Sequence, residues 1–141
     1  MQYAKEFRQL TQHTAPDFES VIDIIEEGLP LSAVEQIAKM FEVSKARAAA
    51  MLGVSLRALQ SRSQSDHKGK LPLRESDRAL QLAKLMNEAI VCFGNAENAV
   101  RWMKSANTGL GNKKPVDLCS SGVGMEMVRD SVNRLKFGLT A

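Results

Sequence analysis

Ser44-Lys45-Ala46-Arg47-Ala48-Ala49-Ala50-Met51-Leu52-Gly53-Val54-Ser55-Leu56-Arg57-Ala58-Leu59-Gln60-Ser61-Arg62 has the spacing of a helix-turn-helix. Two helices that cross tightly need a small residue at the crossing, and Ala49 supplies it. The chain then needs a residue that tolerates positive φ, and Gly53 follows in the turn. Ala48, Leu52, Val54 and Leu59 fall at helical spacing on a shared core. Such a unit presents its second helix to the major groove of DNA. Leu56 and Leu59 are expected to face inward on that helix, leaving Ser55, Arg57, Ala58, Gln60, Ser61 and Arg62 outward or along the groove. Arginine can read guanine, and glutamine adenine, through paired hydrogen bonds, so Arg57 and Gln60 are the candidate base readers. Ser44, Lys45 and Ser55 stand at helix N-termini, where backbone N–H groups and the helix dipole favour phosphate. Arg47, Ser61 and Arg62 complete the candidate DNA-binding set. One small domain makes few contacts, so useful affinity calls for a homodimer on an inverted repeat.

The charge distribution agrees. Residues 1–42 hold three basic residues (Lys5, Arg8, Lys39) against eight acidic ones. Residues 43–74 reverse this, with seven basic residues against Asp66 alone. The net charge of +3 therefore hides a local basic face beside an acidic one, as polyanion binding requires.

Outward from the central stretch the pattern is helical throughout, giving an all-α fold. Aromatics make up only 5% of the chain, and Leu, Ala, Val and Met carry the apolar load, which favours helix over sheet. Residues 1–16 are polar and read as a flexible arm. Phe18, Val21, Ile22 and Ile25 recur at helical spacing, and Gly28 and Pro30 close that helix. Ser32-Ala33-Val34-Glu35 reads as a capping box before the stripe Val34, Ile37, Ala38 and Phe41. Ser61 to Lys70 is polar and without apolar period, so it reads as a hinge. The domains expected are thus the arm 1–16, a DNA-binding unit 17–66 and a second helical domain 67–141.

In that second domain Pro72 opens a long helix with Leu82, Met86, Ala89, Ile90 and Phe93 on one side. Gly94 ends it, and Asn95 caps a helix bearing Ala96, Ala99, Val100 and Met103. Trp102, on the same helix, reads as a core or interface anchor. A loop rich in turn formers runs from Asn107 to Pro115. Lys113 and Lys114 lie beside glycines there, but neither the spacing nor a preceding strand matches a phosphate loop. A last helix starts after Ser121, is expected to bury Val123, Met127, Val128, Val132 and Leu135, and stops at Gly138.

Catalysis and metal binding find no support. His13 and His67 fall in expected loops, and Cys92 and Cys119 lack partners at ligand or disulfide spacing. Both cysteines read as free thiols, and no cofactor or metal site is expected. No apolar run reaches the roughly 20 residues needed to span a bilayer, so no membrane association is expected.

The second half resembles a known family. The run Ala99-Val100-Arg101-Trp102-Met103, then Asn107 with Leu110-Gly111, then Pro115-Val116-Asp117-Leu118, is similar to the C-terminal domain of Xre-type antitoxins of the RES–Xre toxin–antitoxin systems. So are Ser121, Gly124, Val128 and Arg134-Leu135-Lys136-Phe137-Gly138. The resemblance runs back through the helix-turn-helix and covers roughly residues 30–141. Three positions depart from the family pattern: Ala106 stands where a proline is common, Cys119 where a leucine is common, and Arg62 where an apolar residue is usual. The resemblance implies a cytoplasmic, dimerising antitoxin with an N-terminal helix-turn-helix bundle and a C-terminal helical toxin-binding domain. It implies a RES-domain toxin that degrades NAD as partner, occlusion of that toxin's cleft by the C-terminal region, and operator DNA as a second partner. Trp102, Asn107, Arg134, Lys136, Gly138 and the tail Leu139, Thr140 and Ala141 are the toxin-binding residues it implies. A small-residue tail ending in a carboxylate could imitate part of a nucleotide phosphate, with Arg134 and Lys136 fixing its approach. The competing reading from the residues is a stand-alone helix-turn-helix regulator whose C-terminal half binds a ligand or another protein. A third keeps the toxin and uses the helix-turn-helix only as an interaction module.

Overall fold

In the computed structural model, which describes residues 3–12, 18–63 and 69–138, the regular structure is helical; two isolated β-bridges are the only extended pairings among the described residues. The helices are α1 (Ala4–Thr11), α2 (Phe18–Glu27), α3 (Ala33–Phe41), α4 (Lys45–Leu52), α5 (Leu56–Ser63), α6 (Leu73–Phe93), α7 (Ala96–Met103), α8 (Pro115–Leu118) and α9 (Gly122–Lys136). A 3-10 turn spans Thr108–Leu110. His13, His67 and the tail residues 139–141 lie outside the described residues.

The chain divides into two compact units, Met1–Lys84 and Leu85–Ala141. They part within α6 at 84/85, whereas the sequence put the boundary at 66/67. The reason is packing: Ser76 bonds to Leu29 and Leu71, Arg78 to Met51, and Lys84 lies over the Tyr3 ring, all within the first unit. A polar loop marks a break in helix, and here the break in packing comes later.

The first unit is built on α3, which buries Ala33, Val34, Ile37 and Phe41. α1 packs against it through Phe7 and Leu10, the latter 1% exposed. This corrects the reading of residues 1–16 as a flexible arm. Phe7 and Leu10 sit three apart on one helical face, and burying them offsets the ordering of a short segment. Lys84 Nζ lies 5.0 Å from the centre of the Tyr3 ring, a cation–π contact between the start of the chain and α6. The capping box is also corrected. Ser32 has helical backbone angles and makes no side-chain cap, while Glu35 pairs with Lys45. The expected hinge is shortened, because Ser61–Ser63 form the last turn of α5.

Residues 69–71 lie beside residues 29–31. Leu31 N–H donates to Gly69 C=O at 2.8 Å, and Leu71 N–H to Leu29 C=O at 2.7 Å. The approach is so close that a Cβ on Gly28 (φ +105°) would sit 2.0 Å from the Leu71 carbonyl oxygen. Ser76, fully buried, completes the junction. Its hydroxyl accepts from Leu29 N–H at 2.8 Å and donates to Leu71 C=O at 3.1 Å. The buried hydroxyl thus has a partner for both its donor and its acceptor role, as burial demands.

In the second unit Leu85, Met86 and Ala89 of α6, Ala99, Val100 and Met103 of α7, Leu110, Val116, Cys119, and Met125, Val128 and Val132 of α9 form the core. Asn95, Asn107 and Ser121 each cap the next turn with a side-chain oxygen, accepting from Asn98, Gly109 and Gly124 N–H respectively. Both cysteines are free. Cys119 is buried and donates to Pro115 C=O. Cys92 is half-buried, and burial pushes its thiol up while nearby Lys136 acts in the opposite sense.

The inward stripe expected on α9 is corrected. Val128 and Val132 are buried, but Val123 is 72% exposed, and Met127 and Leu135 are exposed too. The inward positions are Gly124, Met125, Val128, Ser131 and Val132. Gly124 sets this rotation. A Cβ there would lie 2.0 Å from Leu118 C=O, so the helix packs its glycine against that carbonyl.

Candidate functional site

The α4–turn–α5 unit is closed by local chemistry. Ser44 Oγ accepts from Arg47 N–H at 3.1 Å, and Ser55 Oγ accepts from Ala58 N–H at 3.0 Å, so both expected N-caps form. Ala49 is fully buried, and Gly53 sits at φ +84°. Val54 N–H donates to Ala49 C=O, and Gly53 N–H to Ala50 C=O. These two bonds make a Schellman motif with glycine in its left-handed position. The next carbonyl, Met51 C=O, accepts from Arg78 Nη1 of α6 at 3.4 Å. The end of α4 is thus satisfied partly from another helix.

On α5, Ser55, Arg57, Gln60 and Ser61 are exposed and Leu59 is buried. Leu56, expected inward, is 43% exposed. It lines a groove of about 480 Å³ with Leu31, Ser32, Glu35, Lys45, Leu59, Gln60 and Ser63. At the start of α4, Ser44 and Lys45 are exposed and Arg47 is half-buried. Lys45 Nζ lies 3.2 Å from Glu35 Oε1, with both side chains about half exposed. Solvent screening makes that pair weak, so a phosphate can compete for the lysine. Arg62 is placed differently from the other candidates. Its guanidinium grips the Glu75 carboxylate of α6 with two bonds, Nη1–Oε2 at 2.9 Å and Nη2–Oε1 at 3.4 Å. Ser44, Lys45, Arg47, Ser55, Arg57, Gln60 and Ser61 thus share the helix starts and the open side of α5, while Arg62 engages α6.

A second surface lies on α9. At 100° per residue, Val123, Met127, Asp130, Arg134 and Phe137 share the side away from Gly124, Val128 and Val132. Val123 and Phe137 are 72% and 71% exposed. Beside them Gly109, Leu110, Met127, Asp130, Ser131 and Arg134 line a groove of about 270 Å³. A row of exposed apolar side chains interleaved with charges is the composition of a protein interface. Sequence reasoning missed this face by assigning Val123 and Met127 inward. The signal that could have found it is Gly124, which marks the packed side.

The remaining C-terminal candidates separate by role. Trp102 is half-buried, its ring 5.2 Å from that of Phe93 and tilted by 33°. Asn107 directs its side-chain oxygen to Gly109 N–H and shapes the 3-10 turn. Arg134 and Lys136 are exposed, Gly138 sits at φ +72°, and Lys136 Nζ lies 5.8 Å from the Phe137 ring centre. Leu139, Thr140 and Ala141 lie outside the described residues. Among the described residues no cluster of His, Cys, Asp or Glu is arranged to hold a metal ion, and no helix is long and apolar enough to cross a membrane.

Comparison with known proteins follows the same division. Residues 20–84 match the antitoxin Xre-like helix-turn-helix domain, and residues 88–138 match the antitoxin Xre/MbcA/ParS C-terminal toxin-binding domain. Among relatives, an antitoxin Xre of Yersinia enterocolitica is 28% identical over 120 residues, 84% of this chain and 80% of the relative. An antitoxin Xre of Photorhabdus laumondii is 28% identical over 119 residues, 84% of this chain and 79% of the relative. Among solved structures, a chain of the MbcT–MbcA toxin–antitoxin complex of M. tuberculosis superposes with a TM-score of 0.54 at 20% identity. That match covers 79% of this chain and 96% of the other, and at this identity it speaks to the fold.

Proposed function

The chain belongs to the Xre-type antitoxins of toxin–antitoxin systems, with a helix-turn-helix domain and a toxin-binding domain, and we propose that it neutralises a RES-domain, NAD-degrading toxin in the cytoplasm and represses its own operon as a homodimer. The observation that carries the toxin half is the exposed row Val123, Met127, Asp130, Arg134 and Phe137, which lies inside the matched toxin-binding domain. The apolar members bury against the toxin, and Arg134 and Lys136 steer the chain end toward a cleft built for a nucleotide. Leu139, Thr140 and Ala141 complete the toxin-binding set in this reading. Trp102 and Asn107 act from behind, through ring packing and turn shape. Inhibition by occlusion needs no catalytic group on the antitoxin.

The DNA half rests on the α4–α5 unit. Arg57 and Gln60 read bases, while Ser44, Lys45, Arg47, Ser55 and Ser61 hold phosphates. The Ser44 and Ser55 hydroxyls each accept a cap bond and still have a proton to donate.

Co-expression tests the toxin half. A RES-domain protein encoded beside this chain, if the genome holds one, should stop growth and empty the cell of NAD when expressed alone, and this chain should restore both. Normal NAD during growth arrest would remove the RES assignment. Full protection by a chain lacking residues 139–141 would remove the tail from the toxin-binding set. Steep weakening of promoter-fragment binding with added salt is expected if phosphates are neutralised.

A further inference from the structure

α5 is a short helix with one buried side chain, Leu59. A single apolar anchor fixes the distance of a helix from its core and leaves its rotation loosely set. Arg62 lies three residues further on, on the same helical side as Leu59. It makes the two-bond contact with Glu75, and the side chains of the pair are 27% and 12% exposed. Glu75 stands in the first turn of α6, where the helix dipole favours a carboxylate. Three residues along α6, Arg78 holds Met51 C=O at the end of α4. One face of α6 therefore grips the C-terminal ends of both helices of the DNA unit. Arg62 was also the position at which the chain departs from an apolar family pattern, and Glu75 supplies the partner that makes the charge tolerable there.

We propose that Glu75 and Arg78 form a clamp that sets the pose of α5, and that Arg62 is a positioning residue for operator binding rather than a DNA contact. This rests on the operator-binding reading above. The two roles for Arg62 predict opposite signs. If Arg62 touched DNA, removing the Glu75 charge would weaken a competing carboxylate contact and remove a repulsive charge, so binding would tighten. If Arg62 positions α5, the same change loosens the helix and binding weakens.

The test uses the full-length chain and a duplex carrying the region upstream of its own gene, with affinity measured across a salt series. Glu75→Gln should weaken binding about tenfold. Arg62→Gln should do likewise and leave the slope of log affinity against log salt unchanged, because no phosphate contact is lost. The exchanged pair, Arg62→Glu with Glu75→Arg, should recover most of the loss, whereas Arg62→Glu alone should not. Circular dichroism confirms that each variant is folded, and the isosteric Glu75→Gln remains informative if a reversal misfolds. Tighter binding by Glu75→Gln, or a salt slope shallower by about one in Arg62→Gln, would overturn the proposal. A wild-type chain that binds no upstream duplex would instead sink the operator reading itself. The two failures are therefore distinct.

Discussion

α5 buries one side chain, Leu59, while α9 buries Gly124, Met125, Val128, Ser131 and Val132. Yet α5 shows solvent mostly polar residues, and α9 shows it Val123, Met127 and Phe137. The helix assigned to DNA is shallowly seated and needs polar tethers to fix its angle. The helix assigned to the toxin is deeply seated and has apolar surface left over. A groove reader has to project, so its side chains cannot also be core. Under the proposed reading α9 has to be rigid, and exposed apolar surface of this kind is what protein partners cover.

The difference in seating sets the scale of each expected effect. Gly124→Ala strikes the deep seat and should cost about 3 kcal/mol or more, because its Cβ would meet the Leu118 carbonyl oxygen at 2.0 Å, a backbone atom that cannot swing aside. Denaturant unfolding would show it, and a loss under 1 kcal/mol would mean α9 is not pinned there. Leu59→Ala removes the sole apolar anchor of α5 and should cost about 2–5 kcal/mol. If it cost much less, the Arg62–Glu75 pair would be carrying the helix unaided. Arg57→Ala should leave the melting temperature unchanged while weakening operator binding by about 1–3 kcal/mol, read by titration of the upstream duplex. Ser121→Ala removes the cap bond to Gly124 N–H and should cost about 1 kcal/mol. Lys45→Gln should change stability by less than about 0.5 kcal/mol, since its pair with Glu35 is screened. A larger stability loss would place Lys45 with the tethers rather than with the phosphate contacts.

What the sequence disclosed and what it hid follow one physical line. The α4–α5 turn was legible because its determinants are neighbours: Ala49, Gly53, Ser44 and Ser55 all act within a few residues. The cap Asn95 and the start of α9 after Ser121 were legible for the same reason. The rotation of α9 was not, because apolar residues occupy two of its sides and the deciding contact, Gly124 on Leu118 C=O, depends on where α8 ends. Helix α1 was hidden by its polar composition, since only Tyr3, Phe7 and Leu10 mark a stripe. Ser32-Ala33-Val34-Glu35 looked like a capping box, but Ser32 itself has helical backbone angles, which a cap residue does not. The role of Arg62 turned on Glu75, across a segment whose path periodicity does not describe. Local rules thus revealed the helix-turn-helix, and contacts distant in sequence decided which side of α9 is exposed.

The most direct test is co-purification of a co-expressed cognate toxin on this chain, comparing wild type with a Val123→Asp, Met127→Asp double variant. Both positions are exposed, so the variant should fold and melt as the wild type does. The wild type should retain the toxin in fixed ratio, and the double variant should retain none. Undiminished toxin on the folded double variant would contradict the assignment of the outward side of α9 to the toxin.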